Sequence, residues 1–248
     1  LNTTGVDNVA IGNQALSTNY ASNNVGVGAS ALQNNTTGAC NVAVGSCALF
    51  SNTTGIRNIA VGRGALRLNT YGICNVAIGD NALCANTTGQ NNIAIGYASL
   101  YQNTTGTQNV AVGRYTLAKN TTSCNTAVGN QSLQNNTTGR NTALGHCTLF
   151  SNTTGTSNTA IGISVLKVNS TGARNTAVGE GALSANTIGN DNTSLGFQTL
   201  FNNTTGVNNT AVGKYTLFSN TTGNNNTAVG TNALLCNTTG YLGTALGS

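Results

Sequence analysis

Asparagine is the residue most often placed to do chemistry in this chain. Counting from Asn2, one stands ahead of a Thr-Thr-Gly-like phrase at every sixteenth or seventeenth residue, to Asn237. A side-chain amide so placed has two uses. In an Asn-x-Thr/Ser context it can accept a glycan, and Asn2, Asn35, Asn52, Asn86, Asn103, Asn120, Asn136, Asn152, Asn169, Asn203, Asn220 and Asn237 meet that condition. Asn19, Asn69 and Asn186 hold the same place without meeting it. The other use is structural. Identical amides stacked at one repeat can bond to each other as a ladder, which would also satisfy them if they were buried.

Other chemistry is thin. The seven cysteines (Cys40, Cys47, Cys74, Cys84, Cys124, Cys147, Cys236) include no Cys-x-x-Cys pair. With one histidine, this predicts no metal centre. Cys40 and Cys74 share a repeat position two units apart, about 9–10 Å in a stacked sheet, too far for a disulfide. His146 and Cys147 are sequence neighbours, and neighbours in an extended segment diverge. No orienting third group is evident, so no catalytic dyad is expected. No phosphate loop, dinucleotide fingerprint or calcium-binding repeat occurs. The chain reads as a non-enzyme with no cofactor. Its +5 net charge is spread along the chain without a basic cluster, which argues against nucleic acid. No apolar run is long enough for a membrane span.

What positions these residues is a repeat. The unit Asn-x-Ala-Val-Gly-x-x-Ala-Leu-x-x-Asn-Thr-Thr-Gly-x-x runs throughout, and its places are numbered here as slots 1–17, from the Asn before x-Ala-Val-Gly. A fixed period of this size signals a solenoid of stacked coils. Helix is excluded by glycine, threonine and asparagine content, whereas short β-branched segments between turn formers suit strands. The prediction is an all-β, parallel β-solenoid of about fifteen coils, one continuous array over residues 1–248 without caps. Both ends fall inside a repeat, as in a segment of a longer polypeptide.

The slots predict sides. Slot 9 is Leu16, Leu32, Leu49, Leu66, Leu83, Leu100, Leu117, Leu133, Leu149, Leu166, Leu183, Leu200, Leu217 and Leu234, a candidate core spine. Slot 4 is always Val, Ile or Leu and is expected to join it inside, with slot 3 (Ala) on the opposite face of the strand. Slots 5 and 15, nearly always Gly, predict corners. Charges collect at slots 6, 10, 11 and 17, and three repeats lose a residue after slot 15, so that stretch is an outward turn. The slot 13–14 segment, which admits Tyr20, Tyr71 and Ile188, is expected to be loosely enclosed. Slot 2 is Val or Ile through Val110 and Thr from Thr126 onward. Ice binding needs threonines that share a face. Thr36-Thr37 and its copies are adjacent and point apart in a strand, so this reading is weak.

Asn8-Val9-Ala10-Ile11-Gly12, Asn75-Val76-Ala77-Ile78-Gly79 and Asn92-Ile93-Ala94-Ile95-Gly96 resemble the head repeats of YadA-like trimeric autotransporter adhesins. The whole unit is also similar to repeat regions of large surface and phage-type fibre proteins. The resemblance implies a left-handed parallel β-roll, three chains per head, surface attachment and, in some members, binding to host matrix. The neck, stalk and anchor of that family are not in this sequence, and its head repeat is shorter. The expected function is a structural subunit of an extracellular or surface fibre, with self-association end to end or as a trimer. The alternative is an adhesin binding glycan or matrix. The expected location is extracellular, on a cell surface or on a virion.

Overall fold

The computed structural model describes residues 4–247, so the candidate acceptor Asn2 lies outside the described residues. The fold is a parallel β-solenoid. Each repeat contributes one three-residue strand at slots 2–4: β1 (Val9–Ile11), β2 (Val25–Val27), β3 (Val42–Val44), β4 (Ile59–Val61), β5 (Val76–Ile78), β6 (Ile93–Ile95), β7 (Val110–Val112), β8 (Thr126–Val128), β9 (Thr142–Leu144), β10 (Thr159–Ile161), β11 (Thr176–Val178), β12 (Thr193–Leu195), β13 (Thr210–Val212), β14 (Thr227–Val229) and β15 (Thr244–Leu246).

The chain divides into two units, Leu1–Asn125 and Thr126–Ser248. In the first, β1 to β7 pair in chain order, each strand parallel to the next and shifted by one repeat. Thus Val42 faces Ile59, Ala43 faces Ala60 and Val44 faces Val61. In the second, β8 to β15 do the same, with Thr176 opposite Thr193 and Val178 opposite Leu195. The shortened repeats keep this register, as Thr126 still pairs with Thr142. Their missing residue is slot 16, because slot 17 persists with its left-handed backbone at Asn23, Cys124 and Arg140.

The leucine spine is internal. Leu32 and every slot-9 leucine through Leu217 have no exposed surface, and Leu16 keeps only 3%. Leu234, in the last complete coil, is half-buried. Full burial of one leucine is worth roughly 1.5–3 kcal/mol.

Slot 4 departs from expectation. Its side chains face out: Ile11, Val44, Ile78, Ile95, Leu144, Ile161, Leu195 and Val229 are among the exposed apolar residues, while the slot-3 alanines from Ala43 to Ala228 are buried. Alternation is obeyed, but the interior side is the opposite one. The reason is the width of the bore. A Cβ placed on Gly26, which stands in slot 3, would lie 3.2 Å from Leu16 Cγ and 3.3 Å from the Ala31 carbonyl oxygen. The slot-9 leucine fills the coil and leaves room for a methyl group opposite it, so the β-branched residues are turned outward.

The two glycine slots work differently. Slot-5 glycines have φ near +130°, as at Gly45 (132°) and Gly62 (130°), a region that side chains disfavour. Slot-15 glycines are held by space instead. A Cβ on Gly55 would sit 2.5 Å from the Gly72 carbonyl oxygen and also strike Asn52 Oδ1. Non-glycine residues at slots 7, 9 and 17 also turn left-handed, for example Cys47 (57°), Leu49 (50°) and Arg57 (58°).

Candidate functional site

The asparagines form two ladders, both buried. At slot 12, Asn52 Nδ2 donates to Asn35 Oδ1 at 2.7 Å, Asn69 to Asn52 at 2.8 Å and Asn86 to Asn69 at 2.7 Å. In the second unit the series runs Asn169 to Asn152, Asn186 to Asn169, Asn203 to Asn186 and Asn220 to Asn203, each at 2.8–2.9 Å. Each Nδ2 also donates to the slot-15 carbonyl three residues on, as Asn52 does to Gly55 at 3.0 Å.

At slot 1 the amide does more. Asn58 Nδ2 donates to Asn41 Oδ1 (3.2 Å) and to the Gly72 carbonyl (2.8 Å), while its own Oδ1 accepts from the backbone N–H (3.0 Å) and Nδ2 (3.1 Å) of Asn75. One amide thus satisfies a backbone N–H that has no strand partner, in coil after coil.

This placement corrects the glycan reading. Asn35, Asn52, Asn86, Asn103, Asn120, Asn136, Asn152, Asn169, Asn203 and Asn220 are fully buried. In nine of them Nδ2 donates to a backbone carbonyl two or three residues on, inside the coil. A glycan on that nitrogen has no space and would break the ladder. Asn136 is held likewise, by the Thr138 carbonyl. Asn237, in the last complete coil, is half-buried and still donates to Asn220 Oδ1 at 3.2 Å.

Among the described residues, Asn103 Oδ1 is a buried ladder oxygen without a partner. The next coil is a shortened one with Ser123 at slot 15. There Asn120 Nδ2 turns to the Thr122 carbonyl at 2.8 Å.

The Thr-Thr-Gly segment is pinned rather than loose. The N–H groups of Thr53, Thr54 and Gly55 and the hydroxyl of Thr53 all donate to the carbonyl of Thr70, one coil on. Slot-13 hydroxyls such as those of Thr36, Thr53 and Thr70 are engaged while slot-14 side chains such as Thr37 and Thr54 lie exposed, so the two adjacent threonines do not share a face.

The exposed surfaces are the strand face and the turns. In the first unit the strand face is aliphatic at slots 2 and 4. In the second, slot 2 is threonine.

Along the turns, charges and rings align by repeat. Arg174 makes a two-pronged bond to Asp191 (2.7 Å twice), which holds the Asp191 carboxyl below its ordinary pKa, and Arg63 pairs with Asp80 at 3.4 Å. Arg114 lies 4.6 Å over Tyr115, which meets Tyr97 edge-on at 5.3 Å. Lys214 lies 4.9 Å over Tyr215, Tyr215 meets Phe197 and Phe218 edge-on, and Phe218 stacks on Phe201 at 5.4 Å. Tyr215 and Phe218 border an open depression of about 400 Å³ with Gln198, Ser219, Asn232, Leu235 and Cys236. This cluster was readable as aromatics recurring one repeat apart.

His146 and Cys147 converge against expectation: Nε2 and Sγ are 3.6 Å apart, because Cys147 sits in a left-handed turn (φ 53°) and not in a strand. The thiol's other neighbour is Gln131 Oε1 at 3.5 Å, an amide rather than a carboxylate. The seven cysteines are unbridged. Burial pushes the Cys84 thiol up in pKa, partly countered by Arg67. Among the described residues no cluster of three or more His, Cys, Asp or Glu could hold a metal ion, and no helix is long and apolar enough to cross a membrane. Comparison with protein-family models, with curated proteins and with solved structures returns no match.

Proposed function

We propose that this chain is a structural element of an extracellular or surface fibre, built by repetition of coil-on-coil contacts. The observation that supports it most is the pair of buried amide ladders. They put the polar side chains with the most hydrogen bonds to work between neighbouring coils and not at a ligand. A solenoid made of nearest-neighbour contacts gains length without a change of design. Self-association end to end uses the same bonds, since an unpaired strand edge is a template for another. Electron microscopy of the purified chain at rising concentration tests the reading. Unbranched filaments, with a fibre-diffraction repeat of about 4.8 Å along the axis, are expected. Short monodisperse particles at every concentration would refute it.

A second reading, an adhesin for glycan or matrix, draws support from the Phe197, Phe201, Lys214, Tyr215 and Phe218 cluster beside amide and hydroxyl groups. Exposed rings with adjacent polar groups suit a sugar's apolar face and hydroxyls. Saturable binding on a glycan array that is lost in Tyr215→Ala would favour it over an inert fibre.

A further inference from the structure

We propose that the outer strand face of the second unit binds ice. The proposal is independent of the fibre reading. It rests on a threonine column other than the Thr-Thr pairs, whose geometry excludes them.

The column is slot 2 of β8 to β15, eight threonines in register, one per coil. What sets it apart is free hydroxyls on a strand face, since the exposed slot-14 threonines such as Thr37 and Thr54 lie in bends. In the second unit the slot-13 hydroxyls from Thr137 to Thr221 are spent on the next coil, as Thr187 Oγ1 is on the Thr204 carbonyl at 3.0 Å. Slot-8 threonines bond inward, as Thr199 does to the Gly213 carbonyl at 2.7 Å. Among the described residues, no slot-2 hydroxyl of β8 to β15 meets a protein partner, although the side chains are exposed or half-exposed. They face outward on the same side as the aliphatic slot-4 column, and neither column carries a charge.

A partner for such a face must supply hydrogen bonds at a fixed period and also accept methyl groups. Strands repeat at about 4.8 Å and alternate residues on one face at about 6.6–6.8 Å, so the face presents a regular two-dimensional array, and an ordered water lattice offers hydrogen bonds at a fixed period where bulk water does not. Threonine is stiff at χ1, so the hydroxyls and methyls are ordered before water arrives and little side-chain entropy is lost. Charged groups, which would hold disordered hydration shells, are confined to the turns. The first unit has the same backbone but places Val or Ile in slot 2. It therefore lacks the hydroxyl column and serves as an internal control.

The test uses the full chain, with thermal hysteresis and ice-crystal shape as readouts. The wild type is expected to facet crystals and to depress the freezing point below the melting point. Thr159→Lys with Thr176→Lys should abolish both, while amide exchange shows the fold retained. Val76→Lys with Ile93→Lys, on the first unit's face, should leave both unchanged. If the paired lysines unfold the chain, Thr159→Val with Thr176→Val removes the hydroxyls at constant shape and should weaken the faceting. A folded wild type that leaves ice unshaped overturns the proposal. So does equal loss from the first-unit variants. So does a concentration-dependent dimer that covers the threonine face in place of ice, which would make that face a protein interface.

Discussion

Removing one amide from the slot-1 ladder should open the coil locally, and Asn58 is the place to do it. Its truncation to alanine leaves the Asn75 backbone N–H without its acceptor, because that N–H bonds only Asn58 Oδ1. The Gly72 carbonyl keeps a donor, Asn69 Nδ2, at 3.1 Å. Asn41 Oδ1 keeps the Asn58 backbone N–H at 2.9 Å. One orphaned buried N–H costs about 1–3 kcal/mol and each lost bond about 0.5–1.5 kcal/mol. With the amide's three other bonds also lost, the sum is about 2.5–7.5 kcal/mol, on the order of a hundredfold or more in local opening. Amide exchange of Asn75 reads this directly. A repeat array need not unfold in two states, so a global midpoint is the poorer measure. Asn58→Asp sharpens the test. It keeps the shape and the acceptor for Asn75, but sets a carboxylate oxygen where a donor faced the Gly72 carbonyl at 2.8 Å and Asn41 Oδ1 at 3.2 Å. Burial and these acceptors raise its folded pKa above the ordinary ~3.9. The folded state then binds the extra proton, so stability rises as pH falls through the folded value and is least at neutral pH. Unchanged Asn75 protection in Asn58→Ala, or a pH-independent Asn58→Asp, would refute the reasoning.

The remaining expectations concern the core, the corners and the turns. Leu66→Ala empties the bore of one coil and should cost about 2–5 kcal/mol in local opening free energy by amide exchange. Gly62→Ala puts a Cβ 2.6 Å from the Gly79 carbonyl carbon at φ 130° and should cost about 3 kcal/mol or more by the same measure. Gly26→Ala, with 3.2 Å to Leu16 Cγ, should be near neutral. In timed alkylation, exposed Cys40, Cys124 and Cys236 should react first and Cys84 last, because burial both covers its thiol and disfavours the thiolate. Carbon-13 titration should find Asp191 below the ordinary aspartate range. The stabilisation from its Arg174 pair is present above that range and is lost as pH falls through the depressed value. Arg174→Gln should return Asp191 to the ordinary value.

The period and the strict leucine at slot 9 made the solenoid and its spine legible, because stacked copies of one residue must share one environment. The slot-12 ladder followed from the same logic. The side on which slot 4 lies was not legible. Hydrophobicity alone places valine and isoleucine inward. That rule fails when one leucine fills the bore and leaves space for only the slot-3 methyl. The steady alanine at slot 3 was the available signal, since a face under no steric limit has no reason to hold alanine in repeat after repeat. The glycan reading failed for a related reason. The Asn-x-Thr pattern reports local chain chemistry, whereas the fate of the amide depends on the coil above it. The His146–Cys147 approach depends on a left-handed turn residue that no residue type at that position announced.

The left-handed leucines show where stability resides. Leu32, Leu49, Leu66 and their copies hold φ near +50°, at roughly 1–2 kcal/mol each for an L-residue. The same leucines gain roughly 1.5–3 kcal/mol on full burial. With left-handed residues also at slots 7 and 17, one coil by itself comes out close to break-even or worse. Its leucine, moreover, is fully buried only when a neighbour covers it: Leu234, in the last complete coil, is half-buried where Leu217 has no exposed surface. The deciding contributions therefore come from between coils, namely the strand pairs, the two amide ladders and the bonds onto the slot-13 carbonyl. A coil so built has reason to exist only as one of many. It also explains why the repeat varies freely at slots 6, 7, 10, 11 and 16, which lie in turns or between bends and not in the strands. It varies least at slots 5, 9 and 12, each of which touches the coil beside it.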